Sequence, residues 1–162
     1  MSPLWLTFAG ALFLNGLLAG ALAWRAARLR HAPGAREFAG CMAAVAVWTL
    51  GYGLETVAAG LPAKLFWIKL ENLGIVALHP LWLLFALRYA GRDAWVTRRL
   101  VAALAVIPAL TLAMLWTGVG SHLHYAWARP FSAAGGPLVV GRGPWYFVHL
   151  ASAYAWMLAG TL

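Results

Sequence analysis

A set of polar side chains stands inside or beside runs that are otherwise apolar: Glu55, Lys69, Glu71, Asn72 and His79, and farther along His122, His124 and His149. An ionisable group within such a run is costly unless paired or wetted, so a functional role is the default reading for those inside the spans, whereas loop packing or interfacial anchoring is the reading for His122 and His124. On a helical projection Lys69, Asn72 and His79 fall on one stripe, while Lys64 and Glu71 fall nearly opposite. Polar groups on both sides imply a helix surrounded by others. Glu55, Lys69 and Glu71 each lie roughly 8 to 11 Å from the Leu61-Pro62-Ala63 turn at ~1.5 Å per residue, which predicts one polar cluster. With one lysine against two carboxylates, one carboxyl should be protonated or should face water or a cation. The competing reading is structural: an ion pair joining two helices, or lysines snorkelling outward.

The histidines raise two cofactor readings, and neither is adopted. A haem between His79 and His149 needs both rings at one level. Counting inward from Lys64 and from Trp145 puts them roughly 16 Å apart at ~1.5 Å per residue. A metal at His122 and His124 lacks the further ligands that zinc or copper requires, with no acidic residue or cysteine nearby. Cys41 is the single cysteine, so the chain has no disulfide pair. It has no phosphate-cradling glycine loop, no nucleophile elbow and no carboxylate pair in a polar domain. No catalytic residue, cofactor or metal is therefore expected in this segment.

The elements that must position these residues follow from composition. Of 162 residues, 64% are apolar and 10% charged, far from soluble globular usage. The apolar residues gather in runs long enough for helices, about 20 residues being needed to cross ~30 Å of hydrocarbon. An all-α, polytopic transmembrane bundle of about five spans follows, with spans near 3–24, 38–60, 64–89, 98–118 and 145–162. Ala21-Leu22-Ala23 resembles a signal-peptidase site, but no basic residue precedes the apolar stretch, so the first run is read as a retained helix. Two glycines four apart, Gly16 and Gly20, suit close helix packing. Pro80 and Pro108 fall within spans and predict bends. In the long connector from Val119 to Pro144, rich in glycine and proline, Pro137-Leu138-Val139-Val140 suggests a strand of a small hairpin.

The net charge of +8 sits mainly in two connectors, Arg25 to Arg36 and Arg88 to Arg99, with no basic, aromatic-interleaved domain for nucleic acid. The positive-inside rule makes those connectors cytoplasmic and the N-terminus extracytoplasmic. Trp5, Trp67, Trp116, Trp127 and Trp145 then fall near the outer boundary, and Trp24 and Trp95 near the inner one. The last run is still apolar at Leu162, which suggests a truncated bundle.

The stretch Phe66-Trp67-Ile68-Lys69-Leu70-Glu71-Asn72-Leu73-Gly74-Ile75, then Pro80, then Phe85-Ala86-Leu87-Arg88-Tyr89-Ala90-Gly91, resembles the N-terminal seven-transmembrane region of bacterial histidine kinases. Ile107-Pro108, His124 and Gly143-Pro144-Trp145-Tyr146-Phe147-Val148-His149 agree with that pattern. The resemblance implies a sensory input module in a bacterial plasma membrane, with two further helices and a cytoplasmic output domain beyond this segment. It also implies a full-length kinase or, in some members, a cyclic-dinucleotide synthase. The partners expected are the lipid bilayer, that output domain, a second copy in a homodimer, and a small-molecule or membrane-borne cue of unknown identity. Rival readings are a transporter or channel subunit using the polar residues of the third helix, and a purely structural membrane partner.

Overall fold

Each apolar run folds as a helix, because a segment without water must satisfy its own backbone. The computed structural model describes residues 2–29, 31–131 and 136–162. Arg30 and Gly135, which belong to two of the connectors read above, lie outside the described residues. The long helices are α1 (Pro3–Arg28), α2 (Ala35–Val57), α3 (Leu61–Tyr89) and α4 (Arg98–Thr117). A one-turn helix α5 (Ser121–His124), strands β1 (Tyr125–Pro130) and β2 (Leu138–Arg142), and α6 (Pro144–Thr161) follow.

Local chemistry sets several of these boundaries. Pro3, Pro62 and Pro144 open α1, α3 and α6, where a missing N–H costs nothing. Thr97 caps α4 by accepting from the Leu100 N–H at 3.1 Å. Pro80 and Pro108 lie inside α3 and α4.

The helices α1 to α4 are long and apolar enough to cross a membrane. The expected fifth span forms a helix of only 18 residues. It is not in that class, because Trp145, Tyr146, His149, Ser152, Tyr154 and Trp156 dilute its apolar content. Leu4 and Leu17 on α1 are 70% and 67% exposed, as side chains facing lipid would be.

Packing centres on α2 and α3. On α1 the buried small residues are Ala9, Gly16, Ala19 and Ala26. A side chain at Gly16 would strike Leu50 and Thr49 of α2, whereas one at Gly20, its expected companion, would enter open space. The seam between α2 and α3 closes at Gly74, where a methyl group would strike the backbone of Ala44 and Trp48. On its other side α3 meets α4 and α6 around Leu83, Leu87 and Leu104, with Trp156 packed against them.

The strands β1 and β2 form an antiparallel pair, with Trp127 opposite Gly141 and Pro130 opposite Leu138. This two-stranded hairpin is not perched above the bundle. Tyr125 touches Asn72, and the His149 ring touches the His79 ring. Farther along, Gly160 lies against Trp82 and Ala86. Thus α6 runs beside the second half of α3, and the hairpin fills the space beside its first half.

Candidate functional site

The hairpin is held from several sides by side chains buried in the helices. Glu55, 1% exposed, accepts the Leu138 N–H at 2.6 Å. Lys64, 4% exposed, donates to the carbonyls of Glu55 at 2.6 Å, Thr56 at 3.3 Å and Gly136 at 2.7 Å. The reason lies at the C-terminus of α2, whose last turn leaves carbonyls without intrahelical partners and carries no basic residue of its own. An ammonium has three donors, so Lys64 answers two of those carbonyls and has one left for the hairpin. Gly136 adopts φ +100°, and a side chain there would run into the Trp5 indole of α1. Trp5 also packs edge-on against Phe131 at 5.3 Å between centroids. The hairpin therefore touches α1, α2 and α3.

A second group of contacts lies on the opposite stripe of α3. Asn72, 1% exposed, donates to Ile68 O at 2.6 Å and to the Tyr125 hydroxyl at 3.1 Å. Burial raises the Tyr125 phenol to about 12, which keeps its proton in place. The rings of His79 and His149 are 6.1 Å apart, and those of His149 and His124 are 6.0 Å apart. His124 also stacks near Tyr125 and Tyr146. At the start of α6, Gly143 N–H donates to His124 O at 2.9 Å, and the Trp145 indole donates to Thr111 Oγ1 of α4 at 2.9 Å.

The expected cluster of Glu55, Lys69 and Glu71 forms differently. Glu71 faces α2, with its Cβ beside Gly51, one turn from Glu55, and its Oε2 has no partner among the described residues. Lys64, not Lys69, is the lysine beside Glu55. Lys69 is half-buried and lines a separate cavity toward α4 and β1. Two polar stripes on α3 do exist: Lys64 and Glu71 face α2, and Asn72 and His79 face the hairpin and α6.

The distance expected between His79 and His149 is corrected. The estimate of roughly 16 Å at ~1.5 Å per residue assumed that α3 and α6 begin at one level. In fact α6 begins beside the middle of α3, because the connector descends before the helix starts. The rings are neighbours, and His79 Nδ1, His124 Nδ1 and His149 Nε2 are buried without a partner among the described residues. No group of three His, Cys, Asp or Glu among the described residues converges closely enough to hold a metal ion. His122 is exposed while His124 is 2% exposed, so these two diverge. Trp145, expected as an interfacial anchor, is half-buried and bonded to Thr111.

The family described as the N-terminal 7TM region of histidine kinase matches residues 9–162 of the chain. No curated protein and no solved structure matches it.

Proposed function

The chain belongs to the family of N-terminal 7TM regions of histidine kinases, and on that premise we propose that it is a bacterial sensory input region in which a cue displaces the docked hairpin. The observation that carries this reading is the clamp of Glu55 and Lys64 on the hairpin backbone at Leu138 and Gly136. Both residues stand at the ends of transmembrane helices, so a shift of the hairpin moves α2 and α3 together. Those helices end at the arginine-rich connectors, next to which a cytoplasmic kinase domain would sit. The region itself lies in the plasma membrane, with its N-terminus and hairpin extracytoplasmic, and works as a homodimer.

Autophosphorylation of the full-length protein in vesicles tests the reading. Glu55→Gln keeps an acceptor for Leu138, whereas Glu55→Leu removes it. Basal output should shift slightly in the first variant and about fivefold in the second, equivalent to roughly 1 kcal/mol between signalling states. The lipid-facing substitution Leu17→Ala should leave output unchanged. Wild-type output and cue response in Glu55→Leu, at equal membrane abundance, would reduce the clamp to packing. Orientation is tested by cysteine labelling in intact cells after Cys41→Ser. A cysteine replacing the exposed Arg129 should be modified and one replacing Arg92 should not.

A further inference from the structure

Beside the clamp, and independent of it, a cavity of about 270 Å³ opens between α3, the end of α4, α5 and β1. Leu65, Ile68, Leu115, Tyr125 and Trp127 line it, and Lys69 is the single charged residue in its wall. Lys69 makes no ion pair and no hydrogen bond among the described residues, in contrast to Lys64, whose ammonium is fully engaged. A half-buried lysine in the wall of an apolar cavity, without a counter-ion among the described residues, is an unfilled demand for negative charge. The volume is near the lower limit of ligand cavities, roughly 300 Å³, so the occupant is small.

We propose that this cavity binds a monoanion with a short apolar body, such as a medium-chain carboxylate, its acid group on Lys69 and its tail against Leu65, Leu115 and Trp127. The charge supplies selectivity and the apolar wall supplies most of the contact. The same chemistry is offered by a free carboxylate and by an anionic lipid that dips its head into the cavity. Tyr125 belongs both to this wall and to the Asn72 contact, so occupancy bears directly on how the hairpin sits. Binding is read on its own, and its outcome does not depend on whether the region signals.

The test is photo-crosslinking of the full-length protein in phosphatidylcholine nanodiscs with a diazirine-bearing octanoate, adducts being mapped by mass spectrometry. Saturable adducts are expected on Leu65, Leu115 or Trp127. Lys69→Met should lower their yield at limiting probe roughly tenfold, as loss of a desolvated charge contact does, while Lys69→Arg retains it. A diazirine-bearing octanol should label wild type and Lys69→Met alike, which also reports that the variant cavity is intact. Leu115→Trp, which fills the cavity from α4, should remove both adducts. Competition by phosphatidylglycerol nanodiscs would assign the anion to lipid, and its absence to a free carboxylate; both uphold the site. Equal octanoate labelling of wild type and Lys69→Met, or no cavity adducts in wild type, would overturn it.

Discussion

The two ends of this bundle handle charge in opposite ways. At the hairpin end, Glu55 and Lys64 are almost fully buried and spend their hydrogen-bonding capacity on backbone groups. At the other end, Arg88 lies 2.7 Å from Glu37 and 3.3 Å from Asp93, with 39% of its side chain exposed. The Arg88 Nε contact with Glu37 is a charge contact without the alignment of a hydrogen bond. A buried charge without its partners is strongly destabilising, whereas an exposed pair contributes little. The hairpin end is thus built to a fixed geometry, while the arginine end is held by packing of Leu83, Leu87 and Leu104 and leaves its charges adjustable.

The largest loss is expected at Lys64. In Lys64→Met the carbonyls of Glu55, Thr56 and Gly136 lose their shared donor inside the protein, and stability should fall by about 3 to 5 kcal/mol. Thermal unfolding in detergent measures this, and an unchanged melting temperature would mean that the clamp carries no weight. Lys64→Arg, with a longer and planar head, should recover only part of the loss.

Proton uptake at His124 gives the next largest effect. Burial, and secondarily the neighbouring His149, lowers this imidazole from its ordinary 6.5 to about 4. The unfolded chain therefore takes up the proton first as pH falls. Stability is at its full value above pH 6.5, declines as pH drops from 6.5 toward about 4, and levels off below that. The His124 share of the decline should reach about 3 kcal/mol at ~1.36 kcal/mol per unit. Unfolding measured across that range in wild type and His124→Gln checks it: the variant should lose this part of the slope. A parallel pH dependence in both would sink it.

These effects also mark where the sequence was legible. The apolar runs with their proline starts disclosed the helices, because hydrophobic length and missing N–H groups act locally. The two polar stripes of α3 were likewise readable, since helical periodicity alone places Lys64 with Glu71 and Asn72 with His79. The depth of the connector was not readable. Nothing in the sequence of that connector states that the strands within it lie beside α3, a feature that depends on Glu55 and Lys64 supplying polar partners from other helices. One signal was available: α2 ends without a basic residue in its last turn, so its carbonyls needed a donor from elsewhere, and Lys64 was nearest in sequence.

Gly136→Ala tests the hairpin end at its backbone. With φ at +100°, an alanine pays the left-handed penalty and also meets the Trp5 ring, so about 2 kcal/mol should be lost. Trp5→Ala in the same chain should relieve the collision but not the backbone strain. A double variant no more stable than the additive sum would show that the indole yields freely.

The smallest effect is expected at the arginine end, and it tests the contrast itself. Arg88 is partly exposed and meets two carboxylates at the surface, so Glu37→Gln should cost at most about 1 kcal/mol, because solvent screens the pair and a long side chain must be ordered to make it. The cost should shrink further when salt is raised, since at ~0.15 M the screening length is only about 8 Å. The cost of Lys64→Met should show no such salt dependence, because the wild-type ammonium is shielded from ions by the protein around it. Thermal unfolding of both variants in low and high salt gives the comparison directly. If Glu37→Gln proved as costly as Lys64→Met and equally insensitive to salt, the arginine end would be as rigidly specified as the hairpin end, and the division between a fixed end and an adjustable end would fall.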